Sequence, residues 1–575
     1  MNPLIKLMQE RVLILDGAMG TMLLKHGLAA DGSLPEFLNL TNPEAITKIH
    51  REYVKAGADV ITANTFGAHE LKLGSDANAA VSAAIACAKA AGAPFVALDI
   101  GPLGALMAPL GPVSFEEAYS IYKKQIIAGA SAGADLVIIE TISDPYEAKA
   151  AILAAKENSN LPVFCTMTFG EDGRTFFGCD ALAAVTLLEG LGVCSLGVNC
   201  SLGPQSLLPV VEKMLSHSRV PILVQANAGL PVIKDGAPSY DISPDEYAAA
   251  VSKMVQCGVR AVGGCCGTSP EYISAVKSRV ENIAPVKKAP KTITVCSASS
   301  KALIWDGFIE VGERLNPTGR AKMIKALEQR DEDYLIDEAM SQVDEGAQIL
   351  DLNVGAAGID EPETLAWATR TIQSAVPGVP LMLDSASPAA IEAALRVYNG
   401  KAIINSVNGK KESMEQIFPL AKKFGALVVC MTMDELEIPE TAEGRLEIAK
   451  KIQAAAHSFG ISDADLLIDP ITMTAAASEQ SAKETLRAVS LVRNELGLKT
   501  ILGTSNISFG LPKRDALNAA FLAETLGAGL SSAILNPAQI RCREALALHR
   551  TICGDDQGCE EYIKAHSASR SPSIK

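Results

Sequence analysis

The feature that most limits the fold of this chain is a repeated unit. In it, a short apolar run rich in β-forming residues ends in a polar residue and precedes a segment of helical periodicity. Alternation of strands and helices is typical of parallel sheets. Eight such runs occur before residue 285, a number that favours a closed (β/α)8 barrel over an open sheet. They end at or near Asp16, Asn64, Asp99, Glu140, Thr168, Cys200, Asn227 and Cys266.

The second half repeats the pattern with eight more runs. Between the halves, residues 284–300 contain two prolines, a basic cluster and a Ser-rich end, as linkers do. We therefore predict an α/β chain of two tandem (β/α)8 TIM barrels (1–285 and 301–565), a short linker (286–300) and a disordered tail (566–575). Open sheets are the alternative, since a pattern fixes strand number loosely. The runs of the second half end at Glu313, Asn353, Asp384, Asn405, Thr432, Asp469, Asn506 and Asn536.

Charge and hydropathy exclude several classes of protein. The 575 residues carry a net charge of -15, which argues against binding to nucleic acid or to an anionic membrane surface. No apolar stretch approaches the roughly 18 residues that span a bilayer, and the N-terminus lacks the features of a signal peptide. The chain is therefore expected to be cytoplasmic. Its 13 irregularly spaced cysteines do not fit a disulfide scaffold, so most should be buried thiols.

Three cysteines are placed differently from the others. Cys200 closes one predicted strand, while Cys265 and Cys266 close another and are flanked by glycines that permit a turn. Adjacent side chains alternate along a strand, so both can reach one point only where the strand ends. In a barrel the strand ends gather the active site. Three thiolates suit zinc, and the lack of a fourth ligand or a CxxC motif favours a catalytic ion. Three buried thiols are the alternative that spacing alone leaves open.

A zinc ion with three thiolate ligands has a site charge of about -1, so it activates water poorly and hosts a fourth thiol well. Coordination removes the proton of that thiol near neutral pH. The electron-rich centre leaves the bound sulfur nucleophilic. Such a site is suited to S-alkylation rather than to hydrolysis.

Residues 1–285 resemble the homocysteine S-methyltransferase domain family throughout. The resemblance implies that Cys200, Cys265 and Cys266 bind Zn2+ and that homocysteine sulfur takes the fourth place, which Asn227 fills without substrate. It also implies that Asp16, the Gly17–Ala18 backbone and Glu140 hold the amino acid end of homocysteine. Carboxylates suit an ammonium, and backbone N–H groups suit a carboxylate. The matching stretches are LDGAMGT (15–21), TANTFGA (62–68), DIGPLG (99–104), ETISD (140–144), GVNCSLGP (197–204), ANAGLP (226–231) and GGCCGT (263–268).

The polar strand ends of the second half are carboxylates and amides without a lysine, a set that suits a neutral heterocycle with several N–H donors, such as a pterin. Helix caps and turns are the alternative role for each of them. This half resembles the pterin-binding family of dihydropteroate synthases and methyltetrahydrofolate methyltransferases, and GTSNISFGLP favours the methyltransferase branch. The matching stretches are GERLNPTGR (312–320), DLNVG (351–355), LMLDS (381–385), IINSVNG (403–409), LLIDP (466–470) and GTSNISFGLP (503–512).

The second resemblance also implies roles for single residues. Asp384, Asn405 and Asp469 are expected to bind the pterin edge, and Asn506 the N5 region of the folate. Glu313 and Asn316 are expected to complete the folate site. Protonation of N5 turns a poor leaving group into a neutral amine, and a network of Asn506 and Asp469 is the hypothetical proton source.

The two modules together resemble the N-terminal part of the cobalamin-dependent methionine synthase family. The resemblance implies methyl transfer from 5-methyltetrahydrofolate through cobalamin to homocysteine. The sequence has no DxHxxG motif, so cobalamin is expected on a module in cis, if the chain is part of a longer enzyme, or in trans. The first arrangement is favoured. The rival interpretations are a homocysteine methylase fused to a flavin-dependent methylenetetrahydrofolate reductase, and a non-catalytic scaffold that binds folate.

Overall fold

The computed structural model describes residues 3–28, 34–234, 237–286 and 292–567. The described residues form two compact units. The first unit comprises the described residues up to 286 together with 299–301, and the second comprises 292–298 and the described residues from 302 onward.

The first unit is a closed parallel barrel, as the sequence predicted. Its eight strands follow the spatial order β1-β10-β7-β6-β5-β4-β3-β2, and a parallel bridge between Leu15 and Val60 joins the two ends of that order. Strands β8 and β9 form a separate antiparallel hairpin that the sequence analysis did not predict. The strands are β1 (Leu13–Ile14), β2 (Val60–Thr62), β3 (Phe95–Ile100), β4 (Leu136–Ile142), β5 (Val163–Met167), β6 (Ser195–Asn199), β7 (Ile222–Ala226), β8 (Val232–Lys234), β9 (Ala237–Ser239) and β10 (Ala261–Gly264).

Local sequence signals set the ends of the helices around this barrel. Ser114 and Ser243 each form a capping box with a glutamate three residues later, and Gly57 ends its helix at a φ of 98°. The helices are α1 (Pro3–Glu10), α2 (Met19–Lys25), α3 (Leu38–Thr41), α4 (Pro43–Ala56), α5 (Glu70–Leu73), α6 (Ala77–Ala90), α7 (Phe115–Ser131), α8 (Pro145–Asn158), α9 (Ala181–Gly190), α10 (Pro204–His217), α11 (Pro244–Cys257) and α12 (Pro270–Val280).

The interior of the first barrel is apolar at its lower level, toward the N-terminal ends of the strands. It is polar at its upper level, toward their C-terminal ends. Leu4 and Met8 of α1 join the buried cluster and close its lower end. Side chains two positions apart on a strand share a face, so the residues two places beyond the apolar layer also point inward. This upper layer contains Thr62, Asp99, Glu140, Thr166 and Gln225, which follow Val60, Ala97, Ile138, Phe164 and Leu223 of the core.

The second unit is also a closed barrel, with its strands in sequence order. Two short strands precede it and form an antiparallel hairpin. The strands are β11 (Val295–Ser297), β12 (Ala302–Ile304), β13 (Ile309–Leu315), β14 (Ile349–Asn353), β15 (Leu381–Asp384), β16 (Ile403–Asn408), β17 (Leu427–Met431), β18 (Leu466–Asp469), β19 (Lys499–Gly503) and β20 (Ser532–Leu535).

Ten helices belong to the described part of the second unit, and Thr504–Ser508 adds a short 3-10 helix at the end of β19. The helices are α13 (Ala321–Gln329), α14 (Glu332–Asp344), α15 (Glu361–Ala375), α16 (Pro388–Val397), α17 (Lys411–Phe424), α18 (Ala442–Ser458), α19 (Ser481–Leu491), α20 (Arg514–Ala528), α21 (Ile540–Cys553) and α22 (Glu560–Ser567). Within the described ranges, no helix has both the length and the apolar character needed to cross a bilayer.

The structure differs from the sequence prediction at both ends of the second barrel. Val295–Ser297, which the sequence placed in the linker, is strand β11, and Cys296 packs with Trp305 against the barrel core. At the other end, the predicted disordered tail begins inside α22, which continues to Ser567. Residues 568–575 lie outside the described residues, so the prediction is not tested there.

Candidate functional site

Three neighbouring strand ends bring the cysteines of the first barrel together. Strand β7 lies between β6 and β10, and the register pairs Asn199 with Gln225 and Gly264 with Ala226. The next residues are therefore adjacent in space. The sulfur atoms of Cys200, Cys265 and Cys266 all lie within 4.8 Å of one another, and those of Cys200 and Cys266 are 4.0 Å apart.

The chain turns sharply at both cysteine positions. Cys200 and Ser201 have φ values of 60° and 57°, a left-handed conformation that few residues other than glycine adopt. At the other strand end, Gly267 has a φ of 83°, and a Cβ atom there would lie 2.3 Å from the ring of Tyr240. Gly264 has no room for a Cβ either, because Thr268 Oγ1 would lie 2.3 Å away. The turn at Cys265 and Cys266 thus needs small residues on both sides of the cysteine pair, which agrees with the GGCCG sequence.

The cysteine set fits a tetrahedral metal ion. Zn–S bonds of 2.3 Å place tetrahedral sulfur ligands about 3.8 Å apart, close to the separations found here. Asn227 follows β7 between the two cysteine positions and is 4% exposed, and its Oδ1 has no hydrogen-bond partner among the described residues. The Asn227 side chain also hydrogen-bonds to Cys200, so this amide lies at the cysteine set and its unpartnered oxygen is available for a fourth coordination place. Thiol groups of Cys265 and Cys266 hydrogen-bond to Cys200 and lower the pKa of the Cys200 thiol.

The two carboxylates predicted to bind substrate both lie in the upper layer of the barrel. Thr62 donates to both carboxylate oxygens of Asp16, from its backbone N–H at 2.9 Å and from its hydroxyl at 2.8 Å. Gln225 donates to Glu140 at 3.1 Å. Burial is the main cause of their raised pKa values, which are about 8 for Asp16 and about 7 for Glu140.

A third carboxyl group of this layer received no role from the sequence. Asp99 is 7% exposed, and its Oδ1 has no partner among the described residues. Burial raises the pKa of Asp99 well above its ordinary value, and the negative charges of Glu140 and Asp16 raise it further. The main causes of the pKa shifts of these three groups include no cationic side chain among the described residues. The layer is therefore a cluster of acids that a positively charged ligand would stabilise.

The predicted backbone site at Gly17 and Ala18 lies beside the cysteine turn. The Ala18 N–H donates to Thr268 Oγ1 at 3.2 Å, and the Tyr53 hydroxyl donates to the Ala18 carbonyl oxygen at 3.1 Å. A Cβ atom on Gly17 would lie 2.7 Å from Thr268 Oγ1. A carboxylate at this point would compete with Thr268 for the Ala18 N–H group.

Strand register places several predicted residues of the second barrel at one level. Asn353, Asp384 and Asn405 are consecutive partners across β14, β15 and β16. Asn353 donates to Asp384 at 3.0 Å. Asp469 ends β18 and accepts the backbone N–H of Ile471 at 2.7 Å. Burial raises the pKa of Asp384, and it raises that of Asp469 to about 7.

The other predicted folate residues occupy the rim. Glu313 accepts a hydrogen bond from Ser505 at 2.8 Å, so β13 is joined to the loop that carries Asn506. Asn506 itself is exposed on the 3-10 helix after β19. Asn316 accepts the backbone N–H of Thr318 at 3.0 Å, which is the turn role that its residue type also predicts.

Asp351 is a further acidic residue that sequence reasoning missed. It lies in β14, is 3% exposed and accepts a hydrogen bond from Asn405 at 3.2 Å. Burial and then the charge of Asp384 raise its pKa well above the ordinary value. The missed signal was the spacing of two from the apolar Ile349, which points Asp351 into the barrel.

Two family models match the chain, one on each barrel. The model described as homocysteine S-methyltransferase matches residues 13–280. The model described as pterin binding enzyme matches residues 312–536.

Curated relatives extend over both barrels. Two proteins named methionine synthase match 93% of this chain. The one from Mycobacterium tuberculosis (strain ATCC 25618 / H37Rv) is 32% identical, and the one from Mycobacterium leprae (strain TN) is 31% identical. The chain spans about half the length of these relatives, 48% of each.

Solved structures match single barrels. The oxidized form of the homocysteine methyltransferase MmuM from Escherichia coli is 25% identical, covering 47% of this chain and 96% of its own, with a TM-score of 0.41. Dihydropteroate synthase from Xanthomonas albilineans in complex with 7,8-dihydropteroate is 18% identical, covering 45% of this chain and 98% of its own, with a TM-score of 0.35.

Proposed function

We propose that this chain carries the two substrate sites of a methyltransferase, because residues 13–280 match the homocysteine S-methyltransferase model and residues 312–536 match the pterin-binding model. The methyl group would pass from 5-methyltetrahydrofolate to cobalamin and then to homocysteine, giving tetrahydrofolate and methionine. The relatives named methionine synthase, which match across both barrels, support this pairing of substrates.

The observation that carries the proposal is the convergence of three cysteine sulfurs, with the Asn227 side chain hydrogen-bonded to Cys200. Cys200, Cys265 and Cys266 would hold Zn2+, and Asn227 would occupy the fourth place until substrate arrives. A zinc ion held there would take homocysteine sulfur as a ligand and keep it deprotonated at neutral pH.

The chain itself orients the rest of the homocysteine molecule. The carboxyl groups of Asp16, Glu140 and Asp99 would receive the ammonium group, whose positive charge relieves their mutual repulsion. The backbone at Gly17 and Ala18 would receive the carboxylate. Binding of homocysteine by its amino acid end and by its sulfur would fix the direction in which the nucleophilic sulfur points.

In the second barrel, Asp384, Asn405 and Asp469 would bind the N–H donors of the pterin edge, with Glu313 and Asn316 at the rim. Asn506 would hydrogen-bond near N5. The proton for N5 would come late from a water or hydrogen-bond network held by the ionised Asp469 carboxylate, with Asn506 supporting the leaving amine. The proton acts late, in the transition state, where the negative charge on N5 develops.

The two proposed substrate sites belong to different closed barrels. A carrier would transfer the methyl group between them. We assign that role to cobalamin on a cobalamin-binding module, either in cis or in trans. The acidic charge of the chain gives no support to nucleic acid or membrane partners.

The purified chain tests this function through its two half-reactions. With free cobalamin supplied, it should transfer methyl from methylcobalamin to homocysteine and from 5-methyltetrahydrofolate to cob(I)alamin. Without cobalamin it should make no methionine from the two substrates. Efficient turnover without cobalamin would overturn the proposal, as would the absence of zinc after purification in the presence of the metal. Bound flavin absorbance would favour the reductase fusion instead.

Asp99→Asn should raise the KM for homocysteine about tenfold or more, since a hydrogen bond to a charged group contributes about 1.5–3 kcal/mol. The zinc content should not change. The matched measurement uses 4-mercaptobutanoate, which has the thiol and carboxylate but no ammonium group, and its KM should stay within twofold. An equal rise for both thiols would show that Asp99 does not act on the ammonium group.

Folate binding should depend on pH through Asp469. Burial raises the pKa of this carboxyl group to about 7, and pterin N–H donors pair with its ionised form. Affinity for 5-methyltetrahydrofolate should therefore be constant above pH 7 and fall as the pH drops below it, by up to about tenfold per unit. Equilibrium binding between pH 5.5 and 8.5 measures the profile, and Asp469→Asn should flatten it. Affinity that rises toward acid pH would contradict the assignment.

A further inference from the structure

A buried arginine in the second barrel has no role in the site described so far. Arg445 lies in the first turn of α18 and is 1% exposed. Its Nε donates to the carbonyl oxygen of Pro439 at 3.0 Å. One terminal nitrogen donates to the carbonyl oxygens of Pro470 and Ile471, at 3.0 and 3.1 Å, and to Thr485 Oγ1 at 2.9 Å. All four acceptors are neutral oxygens, so the guanidinium is buried without a carboxylate bonded to it.

The acceptors identify the segment that Arg445 holds. Two of them, Pro470 and Ile471, are the residues that directly follow Asp469 at the end of β18. The Ile471 carbonyl oxygen also accepts a hydrogen bond from Thr485 Oγ1 at 3.1 Å. Arg445 on α18 and Thr485 on α19 therefore both bind the turn that leaves the barrel after Asp469.

This turn is strained. Ile471 has a φ of 64°, in the left-handed region, and it is a β-branched residue with 8% of its surface exposed. That conformation costs roughly 1–2 kcal/mol for a residue other than glycine. In it, the Ile471 N–H points back to Asp469 Oδ1, at 2.7 Å. The same residue is thus held at its carbonyl by Arg445 and Thr485 and holds the Asp469 carboxylate with its N–H.

We propose that Arg445 is a positioning residue of the folate site, which keeps the Pro470–Ile471 turn left-handed and so fixes Asp469 in the orientation that binds the pterin edge. The inference rests on the proposed function of the second barrel. Strained backbone persists only where surrounding contacts over-determine it, and such positions cluster at binding and catalytic sites. Burial makes the Arg445 charge costly, and the carboxyl groups of Glu484 and Asp469 offset part of that cost, so Arg445 is linked to Asp469 by charge as well as through the turn.

The test replaces Arg445 and measures both half-reactions of the same chain. Arg445→Met should lower the affinity for 5-methyltetrahydrofolate about tenfold or more, equivalent to about 1.4 kcal/mol or more. Methyl transfer from methylcobalamin to homocysteine should stay within twofold, because that site lies in the other barrel. The matched control is Arg487→Met, which removes an exposed arginine that pairs with Glu443 and Glu484, and it should leave folate affinity unchanged.

Two double variants separate positioning from simple stabilisation. In an Asp469→Asn background, Arg445→Met should change folate affinity less than twofold further, since its effect passes through Asp469. In an Arg445→Met background, Ile471→Gly should restore most of the affinity, because glycine adopts the left-handed conformation without strain. Unchanged affinity in Arg445→Met, or an equal loss with and without Asp469, would overturn the inference.

A smaller change decides the question if Arg445→Met leaves the second barrel unfolded. Thr485→Val keeps the side-chain shape and removes only the hydroxyl that binds Arg445 and Ile471. It should lower folate affinity severalfold without affecting homocysteine methylation, and an unaltered affinity would overturn the inference. Failure of the unsubstituted chain to bind 5-methyltetrahydrofolate would instead refute the proposed function of the barrel, and the positioning role with it.

Discussion

Cys266→Ser is expected to reduce bound zinc from one ion per chain to less than about a tenth, and to slow homocysteine methylation at least a thousandfold. A serine hydroxyl keeps its proton at neutral pH, whereas zinc requires a deprotonated ligand. The remaining donors would be two sulfurs and the oxygen of Asn227. With the ion lost, homocysteine would remain a protonated thiol at neutral pH, a far weaker nucleophile.

The measurement combines metal analysis with the methylcobalamin assay. Cys257→Ser is the matched control, because Cys257 lies at the end of α11, on the N-terminal side of strand β10. This variant should keep its zinc and its activity. Methyl transfer from folate should be normal in both variants, since it belongs to the second barrel. Full zinc content in Cys266→Ser would contradict the proposed zinc site. Loss of zinc with undiminished methylation would show that the zinc ion has no catalytic role.

Asn506→Ala is expected to slow methyl transfer from 5-methyltetrahydrofolate about a hundredfold or more. A positioned hydrogen-bond donor that acts on charge developing in the transition state contributes roughly 10²–10³ in kcat. The 3-10 helix after β19 places the Asn506 amide at the mouth of the barrel, and Gly503 leaves it room, since a Cβ there would lie 3.1 Å from its nitrogen. Folate affinity should fall much less than the rate.

Stopped-flow measurement of cob(I)alamin methylation tests this, alongside equilibrium binding of the folate. Asn494→Ala is the control, because Asn494 is exposed before β19, at the opposite end of the strand. A variant that loses binding and rate equally would assign Asn506 to folate recognition. An unchanged rate would remove it from the N5 protonation network altogether.

The barrels could be predicted from the sequence because their strands are short, apolar and regularly spaced. Every predicted run overlaps an observed strand, and the carboxyl ends of those strands gather the cysteines as parallel topology requires. Asp99 and Asp351 follow inward-facing Ala97 and Ile349 by two positions, so strand alternation alone predicts that both point into a barrel.

Other features depend on tertiary contacts that no local pattern shows. The left-handed conformations of Cys200 and Ile471 occur at residues that carry no such signal, since glycine or asparagine is the usual marker. Arg445 resembles any helix-surface arginine in the sequence, and its acceptors lie as far as 40 positions away. The hairpin of β11 and β12 consists of three-residue strands, too short to show a period.

That hairpin has a practical meaning for dividing the chain. Cys296 and Trp305 pack on the core of the second barrel, and the Ser297 backbone bonds to Lys401 of the same barrel. A recombinant second half that started at residue 301 would lose β11 and leave this apolar surface open to water. If the two halves are expressed separately, the boundary should lie before residue 292. Strand β11 then remains with the barrel whose core it covers.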